Sequence, residues 1–600
     1  MEQEIIAKYE VLANRYQQKL DQNRFNLRVI SWLRLASFLA VIPVFIYLMP
    51  LSQLAGWLAV LVCLSAFFWM VKQSVGIERI LKYYQNLVEI NTNEIKATHR
   101  DFSAFDPGNE FIHSDHDFSY DLDLFGENSF FQFLNRTITS GGKSKLAGSV
   151  QQSNPAAQTI RQKQLAIQEL AECLDWRQQF LATGRNTNRN DSAELIFLEK
   201  EALQLKHTSF LKIVLVILPA ITLLLGALYV FDFIPNTFFY LAVFVQWILF
   251  FTYSITISIY SKAFGVKTKL LNQYSDLLLL IEKKEFQSDY LVLQKNKLYN
   301  HGKPASQITS SLQKILNELD YRQNILVAFA LDSLLMWDIR CIYRMHKWQK
   351  NYGTQLVEWF DVIAELDSLI SLANLDYNHP EWIVPTVYSE GFIIQAENLG
   401  HPLIAKEKRI DNHFNLGNDE QIVIITGANM AGKSTFLRTV GINLILASQG
   451  CKVCATTFSF SPVRLFTHMR TTDNLMKDES YFYAELLRLK YMLELLRRGE
   501  NLFIIIDEML KGTNSIDKLS GSVELLKQLI ELKTHCMVAT HDLKLTELVE
   551  SYPRTIKNQC FDVNLAGDDL QFDYKLKDGV TSTMNATFLM RKMGIIPSAS

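Results

Sequence analysis

The sequence has almost no net charge, because 60 lysines and arginines are balanced by 62 aspartates and glutamates over 600 residues. Composition alone therefore does not indicate a nucleic-acid binder, a class that carries a basic excess. Cysteine is scarce too: seven scattered residues, an odd number, argue against a disulfide framework and favour a reducing compartment. The length predicts several domains, and the 48% hydrophobic content suggests membrane segments.

The sequence also predicts neither a cysteine metal or redox site nor a cleavable signal peptide. Cys451 and Cys454 form a lone C-x-x-C without a second pair or a histidine partner, so buried structural thiols are favoured over a metal or redox site. No cleavable signal peptide is predicted, because residues 1–27 are polar and have the pattern of a charged helix.

Long apolar runs occur in two pairs, at 30–49 with 54–71 and at 213–231 with 238–260. Each run is near the roughly 20 residues needed to cross a bilayer, which predicts two transmembrane hairpins with four spans. The alternative for each pair is a buried helical hairpin of a soluble core.

Basic residues predict how these hairpins are oriented. The short connecting loops carry no lysine or arginine, whereas basic residues flank the outer ends of the runs: Arg24, Arg28, Lys72, Lys212, Lys262, Lys267 and Lys269. The positive-inside rule then places both termini and the intervening segment in the cytoplasm of a multi-pass protein of the cell (inner) membrane.

The sequence pattern of the remaining chain changes once, from helical to β-rich. Long helical periodicity with little glycine or proline predicts an elongated all-helical domain, and short β-rich runs begin near Trp382. The predicted domains are an N-terminal cytoplasmic helix (1–27), hairpin 1 (28–72), a helix and connector (73–118), the helical domain in two parts (119–209 and 262–380), hairpin 2 (210–261) and an α/β domain (381–600).

A strand, a glycine-rich loop and a helix follow one another in the α/β domain. The apolar run Ile422–Ile425 precedes Gly427-Ala428-Asn429-Met430-Ala431-Gly432-Lys433-Ser434-Thr435, a G-x-x-x-x-G-K-S sequence, and helical spacing follows. Backbone N–H groups of such a loop surround phosphates, Lys433 would reach the β- and γ-phosphates, and Ser434 would hold Mg²⁺. The sequence therefore predicts a P-loop that binds ATP and Mg²⁺.

Two more buried strands end in polar residues. Asp507 and Glu508 follow Leu502–Ile506, and His541 follows Cys536–Thr540. Asp507 is predicted to complete the Mg²⁺ shell, Glu508 to act as general base on the attacking water, and His541 to contact the γ-phosphate. The expected fold is a parallel sheet wrapped by helices.

These segments together resemble the MutS mismatch-repair ATPases, a branch of the ABC ATPase class. The resemblance rests on the asparagine and methionine inside the P-loop, on Ser480-Tyr481-Phe482-Tyr483-Ala484-Glu485 as the signature segment, on Asp507-Glu508 followed by Lys511 to Asp517, and on Ala539-Thr540-His541. Asn514 stands where the family has serine. The helical domain also resembles the family's lever: Thr137–Leu146 resembles its start, and Ala364–Leu369 with Asn398–Pro402 resembles its return to the ATPase.

The resemblance implies an ATPase that works as a homodimer, in which the partner's signature segment covers each nucleotide. Ser480 would then act in trans, Asp517 would lie on the loop crossing the interface, and Asn429 would contact phosphate or water. The other nucleotide-binding residues would be Gly427, Met430, Gly432, Lys433, Ser434 and Thr435. The adenine-stacking side chain would lie in the loop Lys406–Asn415, where no single residue is assigned.

The chain also departs from the family. The family's N-terminal mismatch-reading domain has no counterpart in residues 1–118, and hairpin 2 interrupts the lever roughly where the family carries its DNA clamp. Mismatch recognition is therefore in question, although DNA remains a candidate ligand by the resemblance.

We expect a membrane-anchored ATPase of the MutS type. One alternative is an ABC-type membrane transporter or a membrane-remodelling ATPase that does not act on DNA. Another is a scaffold with a degenerate ATPase, against which the intact set of predicted catalytic residues argues.

Overall fold

The structure is a computed structural model that describes residues 2–152, 154–185, 205, 208–265, 268–417, 419–428, 430–470, 481–512, 514–566 and 569–581. Its α-helices in chain order are α1 (Glu2–Leu39), α2 (Val41–Pro43), α3 (Gln53–Thr98), α4 (Phe130–Leu134), α5 (Ser140–Val150), α6 (Ala157–Glu172), α7 (Leu174–Gly184), α8 (Thr208–Val230), α9 (Asn236–Gly265), α10 (Thr268–Lys283), α11 (Asp289–Asn296), α12 (Ala305–Leu319), α13 (Ile325–Leu335), α14 (Trp337–Asn378), α15 (Lys433–Gln449), α16 (Tyr481–Arg497), α17 (Ser515–Glu531) and α18 (Leu548–Ser551). A π-helical segment covers Val44–Leu48, and 3₁₀ turns cover Asn109–Phe111, Asp320–Gln323 and Leu543–Glu547.

The strands lie mostly in the last third of the chain. They are β1 (Tyr299–Asn300), β2 (Lys303–Pro304), β3 (Thr386–Val387), β4 (Ile394–Leu399), β5 (Asn412–Leu416), β6 (Ile422–Gly427), β7 (Thr457–Phe460), β8 (Arg464–His468), β9 (Leu502–Asp507), β10 (His535–Thr540), β11 (Ile556–Ala566) and β12 (Asp569–Asp578). Two compact units divide the chain: residues 1–136, 146–174 and 369–600 form unit 1, and residues 137–145 and 175–368 form unit 2.

A six-stranded sheet organises unit 1. Its strand order is β12-β11-β6-β10-β9-β8, and every neighbouring pair is parallel except β11 with β12. The central strands β6, β9 and β10 are mostly apolar and almost wholly buried, as strands covered on both faces must be. Because parallel strands end at one edge, the loops after β6, β9 and β10 come together there.

The segment before this sheet in the chain is also part of unit 1. Asp121 is buried and accepts hydrogen bonds from Thr467 Oγ1 at 2.7 Å and from the backbone N–H of Met469 and Arg470 at 3.1 and 3.0 Å. The segment around Asp121 therefore packs on the end of β8. The domain boundary at residue 118 stays a prediction.

The first pair of apolar runs forms two long antiparallel helical rods in unit 1. α1 and α3 pack along each other and extend well beyond the apolar runs at the ends remote from the connecting loop. Tyr9 Oη donates to Asn378 Oδ1 at 2.8 Å, and Arg136 forms a buried ion pair with Glu94 at 2.6 Å. The non-apolar half of the rods is thus attached to the rest of unit 1.

The part of unit 2 that the structure describes is helical apart from the β1–β2 hairpin and short turns. Its N-terminal piece is held by Asp367, a fully buried carboxylate that accepts from the backbone N–H and the hydroxyl of Thr139 at 2.8 and 2.7 Å. Burial raises the pKa of Asp367 to about 7 despite these hydrogen bonds. Gly142 packs directly on this carboxylate, so a Cβ at that position would overlap it.

Within the predicted all-helical domain, residues 305–347 form three separate helices, α12, α13 and the start of α14. Asn324 begins α13, because its side-chain oxygen accepts from the N–H groups of Leu326 and Val327. Met336 ends α13 in the left-handed region at φ +51°, which periodicity alone does not predict.

Among the described residues, four helical stretches have the length and composition to cross a bilayer: Glu2–Leu48, Gln53–Thr98, Thr208–Val230 and Asn236–Ser261. They coincide with the four predicted apolar runs. α13 is apolar as well but too short to cross.

Candidate functional site

The P-loop joins the buried strand β6 to α15. Gly427 and Gly432 adopt φ values of +154° and +105°, which L-residues with side chains rarely do. A Cβ on Gly427 would lie 2.8 Å from the carbonyl oxygen of Phe561 on the neighbouring strand. The two glycines therefore allow the loop to curl over the end of the sheet.

Lys433 occupies the first turn of α15 and is buried. Its Nζ donates to the carbonyl oxygens of Gly427 and Ala428 at 2.7 and 2.9 Å and lies 3.4 Å from His541 Nε2. Burial lowers the pKa of Lys433 to about 8, although Asp507 and Glu508 oppose the change. The Lys433 side chain at this end of the sheet therefore loses its proton near pH 8.

Glu508 follows β9 with its backbone at φ +64°, and its N–H donates to Ala539 O on β10 at 2.9 Å. Its carboxylate forms a 2.7 Å ion pair with Lys518. Burial acts to raise the pKa of Glu508, but Lys518, with Lys511 and His541, brings it below its ordinary value. Partial burial and the nearby Lys433 ammonium lower the pKa of His541, so this imidazole is neutral at pH 7.

A cleft of about 600 Å³ opens at this edge of the sheet. Predicted site residues that line it are Met430, Gly432, Lys433, Ser434, Thr435, Asp507, Glu508 and His541. Gly427 lies at the base of the loop, and Asn429 and Ser480 fall outside the described residues. Asp517 is not among the lining residues; it lies in the first turn of α17, where its carboxylate accepts from Asn514 at 2.7 Å.

Two of the lining residues have the chemistry of a magnesium site. The Ser434 hydroxyl and the Asp507 carboxylate are hard oxygen donors in the same cleft. Mg²⁺ is typically held by one or two such protein groups together with substrate phosphates and water. The residues present therefore fit the ion.

The profile of MutS domain V matches residues 423–598. These residues are therefore assigned to MutS domain V. The chain is 27% identical over 301 residues to MutS protein homolog 4 of Mus musculus, covering 48% of this chain and 29% of that protein.

Bacterial relatives match as well. DNA mismatch repair protein MutS of Desulfatibacillum aliphaticivorans is 31% identical over 252 residues, which cover 40% of this chain and 27% of that protein. The protein of the same name from Thermotoga maritima is 31% identical over 237 residues, covering 38% and 29%. The chain thus spans less than a third of the length of these relatives.

Sequence reasoning missed one wall of this MutS-type cleft. Tyr574 and Phe561 line it from β12 and β11, beside the predicted loop, which contributes Lys408, Arg409, Ile410 and Asn412. Asn412 joins the two sides, because its side chain donates to Tyr574 O at 3.0 Å and accepts from Leu576 N at 2.8 Å. No local pattern marks Tyr574, since its position depends on strand pairing.

Glu485 of the signature segment has a structural position that its motif did not reveal. Its buried carboxylate accepts from the backbone N–H groups of Leu510 and Lys511 at 2.6 and 3.1 Å and lies 3.2 Å from His468 Nε2. The MutS signature helix α16 therefore holds the loop that follows Glu508.

The first pair of apolar helices is linked to the cleft through Arg100, two residues beyond the end of α3. Its guanidinium donates to the carbonyl oxygens of Pro402 and Ile404 at 2.8 and 3.4 Å. Ile404 and the neighbouring His401 line the cleft. The end of α3 thus contacts one wall of the nucleotide-sized cavity directly.

Proposed function

We propose that this MutS-family chain hydrolyses ATP with Mg²⁺ and is anchored in a membrane. The observation that carries the proposal is the convergence of Lys433, Ser434, Asp507, Glu508 and His541 on one cleft at the carboxyl edge of a parallel sheet. This is the place where open α/β sheets bind nucleotides.

The residues divide the chemistry among them. Water attacks the γ-phosphorus of ATP, a new P–O bond forms, and the bond to the bridging oxygen breaks with its electron pair on ADP. Glu508 accepts the proton of the water, for which its ionised form is required. Lys433 and His541 contact the phosphate oxygens, while Ser434 and Asp507 would hold Mg²⁺, which neutralises phosphate charge when bound.

The base assignment is tested by Glu508→Gln in the detergent-solubilised full chain. We expect ATP binding to persist and turnover to fall by about 10²–10⁴-fold, the usual contribution of a general base. Glu494→Gln is the matched control, because Glu494 lies on the exposed face of α16. Unaltered turnover in Glu508→Gln would refute the assignment.

Dimerisation belongs to the same proposal. Met430 in the P-loop and Ile516 beside Asp517 are apolar side chains that are largely exposed at the edge of the site. A second copy that brings Ser480 and Asp517 to this edge would bury them. Turnover per chain should then rise with protein concentration and saturate; turnover independent of dilution into the monomeric range would oppose a composite site.

Membrane anchoring is proposed from the outward faces of the four long helices. Leu58, Phe68, Val216 and Phe244 are among many large apolar side chains exposed there, far more than water-facing helices carry. Reporters placed in the loops at 50–53 and 232–235 should lie on the side of the membrane opposite the ATPase. A reporter in either loop on the ATPase side would contradict the hairpin topology.

We further propose that nucleotide binding moves the helices relative to the bilayer, with Arg100 as one connection.

DNA is a candidate ligand because the relatives include proteins named for mismatch repair. Binding of mismatched and matched duplexes by the solubilised protein decides this. Equal, weak and salt-insensitive binding to both would exclude DNA as the ligand.

A further inference from the structure

α13 is an apolar helix with three large side chains that are mostly exposed. Ile325, Leu326 and Phe329 are 82%, 81% and 59% exposed. Its eleven residues are about 16 Å long, roughly half of a bilayer's hydrocarbon core. α13 therefore cannot cross a membrane, but it presents a surface that water solvates poorly.

The contacts of α13 with α9 show where along the predicted span it lies. Trp247 Nε1 donates to Ser333 Oγ at 3.0 Å, and the Trp247 ring centroid is 5.4 Å from that of Phe329. Trp247 lies near the middle of the apolar stretch Asn236–Ser261, more than about 15 Å from either end at 1.5 Å per residue. If that stretch spans the bilayer, α13 is at the depth of the acyl chains.

The polar groups at both ends of α13 are satisfied within the protein. Asn324 caps its first turn by accepting from Leu326 N and Val327 N at 3.1 and 3.3 Å. At the other end, the Gln246 amide, in the orientation that satisfies its neighbours, donates to the carbonyl oxygens of Asp332 and Ser333 at 3.1 Å. Lipid imposes this requirement, because no water is present to pair with open backbone groups.

Aromatic and charged residues flank α13 at both ends, where Arg322 pairs with Asp338 at 3.7 Å. Tyr321 stacks on Trp337 with ring centroids 6.4 Å apart, and Trp337 Nε1 donates to Glu318 O at 2.9 Å. Glu318 in turn pairs with Arg344 on α14. Tyrosine and tryptophan favour the interface between acyl chains and water, and the ion pair belongs on the aqueous side.

We propose that α13 is a short membrane-embedded helix that enters the cytoplasmic leaflet beside hairpin 2, with Ile325, Leu326 and Phe329 against lipid acyl chains. This inference rests on the proposed membrane anchoring. It gives unit 2 a third intramembrane element, at the point where α12 and α14 meet.

A fluorophore at single cysteines tests the proposal in the full chain. Leu326→Cys is compared with Phe244→Cys, on the exposed face of the span, and with Glu285→Cys, an exposed polar position after α10. Cys63 and Cys173 are first replaced by serine, since the other native cysteines are buried. The labelled proteins are reconstituted in phosphatidylcholine–phosphatidylglycerol vesicles with nitroxide-bearing acyl chains, and ATP turnover verifies folding.

We expect quenching by acyl-chain nitroxide at position 326 to match that at position 244, with little quenching at 285 and little access for aqueous iodide at 326. Quenching at 244 but not at 326 would overturn the proposal and leave the anchoring intact. No quenching at either would overturn both. A probe at 326 shielded from lipid and iodide alike would also overturn it and would indicate that a second copy covers the helix.

Discussion

Removal of the Glu485 carboxylate should loosen the loop that carries the proposed general base. Glu485 is 1% exposed and accepts from the N–H groups of Leu510 and Lys511. An unsatisfied buried donor costs about 1–3 kcal/mol, so Glu485→Ala, which leaves two without an acceptor, should cost about 2–6 kcal/mol locally. Glu485→Gln keeps the volume and one acceptor and should cost about 1.5–3 kcal/mol.

Hydrogen–deuterium exchange of peptides covering 508–512 measures this loss directly. Since about 1.4 kcal/mol is a factor of ten, we expect exchange to accelerate by roughly 30-fold or more in Glu485→Ala and by less in Glu485→Gln. Turnover should fall in the same order, because Glu508 begins this loop. Glu494→Ala on the exposed face of α16 is the control. Wild-type exchange and turnover in Glu485→Ala would show that α16 does not position the loop.

Three further predictions concern the cleft. Because ATP favours charged Lys433, whose pKa is about 8, ATP affinity should fall by up to about tenfold per pH unit above pH 8, a dependence that Lys433→Met should lack. Lys518→Met should raise the pKa of Glu508 and move the acidic limit of turnover to higher pH; an unmoved limit would show that Lys518 does not control Glu508. Tyr574→Ala should weaken ATP binding in calorimetry by about 1–3 kcal/mol through lost base stacking, and Tyr574→Phe should not; equal weakening of inorganic triphosphate would argue against stacking.

Some site residues could be predicted because their chemistry is local. The P-loop encodes its own turn through Gly427 and Gly432, and Lys433 follows at a fixed offset. Asp507 and His541 lie on separate strands, but parallel strands end at one edge, so fold class was enough to bring them together. The four apolar helices were also predictable, because the length and composition of an apolar run are local features of the sequence.

Other features depended on tertiary structure alone. Tyr574 reaches the cleft because β11 pairs with β6 and Asn412 ties β12 to β5 across more than half of the domain's sequence. Glu485 sits in a motif, but its partners lie in another loop.

By itself, the sequence determined the residue types of the cleft and the four long apolar helices, because short motifs and continuous apolar runs encode both. Only the tertiary structure decided what surrounds them. It joined Arg100 at the end of α3 to the wall of the cleft, and it placed the short helix α13 against Trp247. Such contacts join residues far apart in the chain. They depend on side-chain packing, which leaves no periodic pattern in the sequence.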